Sequence, residues 1–120
     1  MKYTISDQPV RIPVPGNKLI EEFVGKATTG HSNVSVAHMV APAGWAEPSQ
    51  TPAFDEVTIV LRGTMRILLD DADTIDLTKG QSIYLNKGVK VQYSNPFDEE
   101  CEYWAICIPA FTVESAGRHD

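Results

Sequence analysis

The stretches GWAEPSQTPAFDEVTIVLRG, residues 44–63, and GQSIYLNKGVKVQYSN, residues 80–95, decide the fold of this chain. Each opens on a glycine and holds another at a corner: Gly63 after the run EVTIVLR, and Gly88 between SIYLNK and VKVQY. Within the first, Val57, Ile59 and Leu61 fall on one side of an alternating pattern, and Glu56, Thr58, Val60 and Arg62 on the other. That alternation belongs to a strand, because successive side chains of an extended chain point to opposite faces. The mixed face suits a barrel interior that holds a polar ligand, with the apolar face buried in a sheet or subunit contact.

Working outward, β-branched or alternating segments between turn signals predict strands over 19–24, 33–41, 56–62, 64–69, 74–77, 82–85, 89–93 and 101–108. No segment sustains a helical period, and at most one helical turn fits near 18–23. Asp70-Asp71-Ala72-Asp73 reads as a hairpin tip, and Lys79-Gly80, Asn86-Lys87-Gly88 and Asn95-Pro96 as corners. The proline-rich stretch 9–15 cannot lie in a central strand and is expected to be an edge or arm. The expectation is one all-β domain over 1–120: an arm and first strands to 32, barrel motifs over 33–109, and a solvated tail from 110 on.

Ten basic and sixteen acidic residues among 120 give a net charge of −6, which argues against nucleic acid or an anionic membrane as partner. No apolar run is long enough to span a bilayer, and MKYTISDQPV lacks the apolar region of a signal peptide, so the expected location is the cytoplasm. Cys101 and Cys107 fall on one face of one strand, roughly 20 Å apart, beyond disulfide reach. They are expected to be reduced and buried.

The two stretches carry the spacings G(x)5QxP(x)3E(x)6G and G(x)5NxG(x)2V(x)3N. These resemble the paired motifs of the cupin superfamily, G(x)5HxH(x)3E(x)6G and G(x)5PxG(x)2H(x)3N, with Gln50, Pro52 and Val91 in place of the three metal-binding histidines. The resemblance covers roughly residues 33–109 and implies a small jelly-roll β-barrel whose turns use Gly44, Gly63, Gly80 and Gly88. FDEVTIVLRGTMRI and AICIPAF also resemble small stand-alone cupins, including the ethanolamine-utilisation type. Of the family's metal ligands only Glu56 carries over; Pro52 and Val91 offer no donor atom. No cofactor is therefore expected. The alternative is a divalent metal on a relocated set of His38, Glu47, Gln50 and Glu56. The resemblance also implies a homodimer, through the 9–15 arm or the face of Val57, Ile59 and Leu61.

Glu56, on the mixed face, is the first candidate for chemistry, since an enclosed carboxylate must be paired, protonated or bound to something. Its structural alternative is an ion pair with Arg62 or Arg66. His38 shares a face with Val34, Val36 and Val40, and if that face is the interior it can pair with Glu56 as an acid-base group. Tyr93 falls on the face of Val91 and is the third catalytic candidate. Gln50, Glu47, Trp45, Phe54 and Trp104 are candidate ligand contacts, and Asn95 closes the Asn95-Pro96 turn. His31 and His119 read as exposed. The expected function is to bind or transform a small polar metabolite in the barrel; an enzyme would be an isomerase, epimerase or lyase. The further alternative is a non-catalytic ligand-binding or regulatory module.

Overall fold

The structure is a computed structural model and describes residues 2–119. Among the described residues the chain forms, in order, β1 (Val10–Arg11), β2 (Leu19–Val24), β3 (Ser35–Ala41), β4 (Asp55–Arg62), β5 (Thr64–Leu69), β6 (Asp73–Thr78), β7 (Ser82–Leu85), β8 (Val91–Ser94), β9 (Cys101–Ile108) and α1 (Val113–Ala116). All strand pairings are antiparallel, in a six-stranded sheet of order β1-β2-β3-β9-β4-β7 and a three-stranded sheet of order β6-β5-β8. This is the expected all-β jelly-roll. The turn around Lys87 and Gly88 delays β8 by two residues, and the loop after Gly30 shortens the start of β3.

The punctuation residues do what their chemistry allows. Asp70 and Asp71 both adopt positive φ at the β5–β6 hairpin tip, a conformation Asp tolerates better than most side chains. Gly63, at φ 78°, joins β4 to β5 where a Cβ would run into the Glu100 carbonyl. The proline-rich arm contributes β1, which pairs with β2 of its own chain as the outer strand of the six-stranded sheet.

The second sheet continues beyond β8 through irregular chain. Gly44 N donates to Asn95 O, Asn95 N to Trp45 O, and Gln50 exchanges both backbone bonds with Val91. The residues after β9 then dock on the far side of this segment: Thr51 N donates to Gly117 O, Ala53 N to Ser115 O and His119 N to Ser49 O. The expected solvated tail is thus corrected. It is capped by Thr112 at the start of α1, buries Ala116 and is hydrogen-bonded to the barrel.

The interior is layered. Ala41, Val60, Met65, Ile67, Val91 and Cys101 pack one part solidly, each at most 2% exposed. Further along the same strands the inward residues are small: Ser35 pairs with Cys107 and Ala37 with Ala105 across β3 and β9, and Glu56 and Thr58 of β4 lie beside them. Small side chains facing one another cannot fill the space between sheets, so a cavity opens there.

Candidate functional site

The cavity measures about 70 Å³ of space open to water centres, several times the roughly 10–15 Å³ that one water needs. Ile12, Val14, Ile20, Met39, Phe54 and Phe111 supply an apolar wall, while Glu56, Thr58, Gln50 and Tyr93 supply a polar one. The alternation in β4 therefore reads correctly: Glu56 and Thr58 face the cavity, and Val57, Ile59 and Leu61 face out, with Leu61 38% exposed.

Glu56 is the centre of the polar wall. Tyr93 Oη donates to Glu56 Oε1 at 2.8 Å, and Cys107 Sγ lies 3.8 Å from Oε2. Enclosure raises the Glu56 carboxyl above the usual carboxylate range, against the Tyr93 hydrogen bond, because the anion loses water. Burial also pushes the Tyr93 phenol and the Cys107 thiol well up, so both stay protonated. A carboxyl with a raised pKa, beside a phenol donor, can give a proton to a ligand oxygen or take one back. The ion-pair alternative for Glu56 is not realised, since Arg62 pairs with Glu100 and Glu102, and Arg66 with Asp76.

The mouth carries two cations that sequence reasoning missed. Lys18, just before β2, lines the cavity with its Nζ 4.1 Å from the Trp45 ring centre and 5.3 Å from that of Tyr103. Burial lowers its pKa, against the pull of Glu47 and Glu56. Arg118, from the docked tail, reaches Glu47 at 3.9 Å and also lines the cavity. Burial raises the Glu47 carboxyl, and the two cations oppose that shift. Glu22 lies 2% exposed at the edge of the cavity, its carboxylate accepting from Ala27 N and Thr28 Oγ1. An isolated lysine at a turn and an arginine in a polar tail leave no local pattern; only the distant rings of Trp45 and Tyr103 and the tail's backbone bonds bring them inward.

Of the predicted residues, Glu56, Tyr93, Gln50, Glu47 and Phe54 converge on the cavity. Trp45 is buried beside its mouth. His38 and Trp104 do not join them. On β3 it is Ser35, Ala37 and Met39 that face the cavity, which turns Val36, His38 and Val40 outward. His38 Nδ1 lies 3.3 Å from Glu21 and Nε2 2.7 Å from Glu102, and Trp104 packs in tilted contact with His38 and Phe23 on that outer face. Pairing of His38 with Glu56 is corrected accordingly. His31 is half-buried, with its ring bonded to Thr29, and His119 is exposed and bonded to Thr51. Asn95 is fully buried and does more than close its turn: its Nδ2 lies within 3.2 Å of the Ala41, Pro42 and Glu99 carbonyls.

The donor chemistry does not fit the transition-metal centre usual for this motif pair. Val91 is packed in the core, Pro52 is buried, and His38 points away, so the relocated set loses its only imidazole. Among the described residues no three His, Cys, Asp or Glu side chains are grouped to hold a metal ion. No helix among them is long and apolar enough to cross a membrane.

The family model described as a cupin domain matches residues 37–109, and the chain belongs to the cupin superfamily. Over 105 residues, 88% of its length, the chain is 45% identical to the Endoribonuclease YbeY of Myxococcus xanthus (strain DK1622), but those residues make up 35% of that protein. The chain thus spans about a third of the length of this relative. Among solved structures, an RmlC-like cupin with a double-stranded β-helix fold from Methanocaldococcus jannaschii superposes with a TM-score of 0.69 at 21% identity, covering 87% of this chain and 93% of its own. The EutQ protein of Clostridium difficile superposes with a TM-score of 0.65 at 19% identity, covering 85% and 78%. These likenesses define the fold.

Proposed function

We propose that this protein binds, and in the stronger form transforms, a small polar metabolite inside the barrel, with Glu56 as the acid-base group and Tyr93 as its donor partner. The observation that carries this reading is the Tyr93–Glu56 hydrogen bond of 2.8 Å on the wall of a cavity wide enough for a small ligand. A carboxyl whose pKa is raised by enclosure serves proton transfer better than a solvated one. If the protein is an enzyme, an isomerisation, epimerisation or lyase step uses such a group without a tightly held metal. The setting for this function is the cytoplasm, with the protein acting as a homodimer.

A metabolite library screened by ligand-observed NMR against the wild type and Glu56→Gln tests the reading. Binding lost or weakened in the variant, with the melting transition retained, supports it. Ligands bound equally by both place the site elsewhere.

A second reading is favoured by the 45% identity to one third of an endoribonuclease. We propose as the alternative that the cupin barrel serves as a ligand-binding regulatory module for a ribonuclease. With a net charge of −6 the barrel is unsuited to hold RNA itself, so the coupling would pass through protein contact. Co-purification of this chain with an endoribonuclease whose rate it alters would favour this reading. Failure of the pair to associate at micromolar concentration would remove it.

A further inference from the structure

Lys18 and Arg118 come from opposite ends of the chain and meet at one mouth, where both line the cavity and the smaller recess beside it. Like charges brought together repel, and Lys18, the more enclosed of the two, also loses hydration there. The carboxyl groups around them are engaged elsewhere and leave Lys18 without a direct partner. Glu47 offsets one cation at 3.9 Å from Arg118, while Glu22 is turned into its own loop by Ala27 and Thr28. Tyr93, Tyr103 and Cys107 are kept protonated by burial, and Glu56 is engaged by the Tyr93 phenol. Lys18 has aromatic faces beside it but no ion-pair partner within 4.0 Å among the described residues. A bound anion would stabilise the ammonium that burial disfavours.

We propose that the cavity takes a small organic carboxylate, its acid group held between Lys18 and Arg118, its body along Ile20, Met39 and Phe54, and a second polar group at Glu56. Glu47 at the mouth favours a monoanion over a dianion. The planar guanidinium of Arg118 presents the donor fork that a carboxylate accepts, and Lys18 supplies a point charge opposite it. The docked tail is therefore part of the binding site. Gly117, at φ 64° where a Cβ would run into the Thr51 carbonyl, lets the chain approach closely enough to deliver the next residue.

This assignment rests on the pocket reading above, and the test separates the two. Short-chain carboxylic and hydroxycarboxylic acids and their neutral amides are titrated against the wild type, Lys18→Met and Arg118→Gln, at up to roughly 10 mM, by ligand-observed NMR. The expected result is that acids bind about tenfold or more tightly than their amides, and that each variant weakens the acids by a similar factor while the amides are unaffected. Amides binding as well as acids would overturn the assignment. So would silence of every acid while neutral compounds of the metabolite library bind; in that case the pocket stands and the carboxylate does not. If neither series nor the library binds, the pocket reading fails as well. Should a variant not fold, the acid and amide affinities of the wild type decide alone.

Discussion

Tyr93 on β8 and Glu56 on β4 belong to different sheets, and their 2.8 Å hydrogen bond spans the barrel interior beside the cavity. The contact fixes the carboxyl's orientation and leaves its second oxygen near the Cys107 thiol. Both residues fall at or beside positions of the paired motifs, Glu56 at the glutamate and Tyr93 two residues from Val91, which is why sequence reading brings them together.

The enclosure of Glu56 makes stability depend on pH in a definite direction. Its folded-state pKa lies above the ordinary value of 4.5, so folding takes up a proton in the window between the two. Stability is lost as pH rises through that window. Glu56→Gln removes this penalty while keeping an oxygen for Tyr93. The variant should melt a few degrees higher than the wild type near neutral pH, with the difference shrinking as pH falls below 4.5. Thermal melts across pH check this; a gain that grows toward acid contradicts it.

Metal retention follows from the donor set. With Gln50, Pro52 and Val91 at the motif positions and His38 on the outer face, purified protein dialysed against mixed divalent ions should keep well under one equivalent. Elemental analysis decides it, with Glu56→Ala as control. Near-stoichiometric metal that disappears in Glu56→Ala would establish a metal site built on Glu56.

Asn95 is a structural residue of the motif. Its amide nitrogen faces three carbonyls and its oxygen accepts from Phe97 N at 3.2 Å, all with the side chain fully buried. Asn95→Ala leaves these groups without a partner and should cost about 2–4 kcal/mol. Asn95→Asp, which turns an oxygen toward the carbonyls, should cost more. Urea unfolding midpoints give the order directly.

What was legible follows from the kind of signal each element carries. β4 alternates polar and apolar residues, and the motif spacing that puts Glu56 at the family's glutamate position is what assigns its mixed face inward. β3 and β9 are apolar on both faces: Val36 and Val40 oppose Ala37 and Met39, and Trp104 and Ile106 oppose Tyr103 and Ala105. Their parity was therefore undetermined, and His38 and Trp104 were read into a pocket they turn away from. Where the cavity lies, the inward positions Ser35, Ala37, Ala105 and Cys107 are small, while Val36, Trp104 and Ile106 turn outward, because the cavity needs room. The tail escaped because backbone hydrogen bonds at Thr51, Ala53 and His119 hold it, and such bonds leave no trace in side-chain composition.

The outward face of the six-stranded sheet carries Val57, Ile59 and Leu61 beside Ile106 and Ile108, with Ile108 44% and Tyr84 54% exposed. A homodimer through this face is the expected solution state, with Ile59→Arg shifting it toward monomer while leaving the cavity intact. Sedimentation velocity reads both species. A wild type that stays monomeric at tens of micromolar, or roughly so, removes the dimer.

The central claim is that ligand chemistry occurs around Glu56 inside the barrel, and chemical-shift mapping of the isotope-labelled protein with a hit from the library screen tests it most directly. The account predicts the largest shifts at Gln50, Glu56, Thr58 and Tyr93. Shifts confined to the outer face around His38 and Trp104 would contradict it.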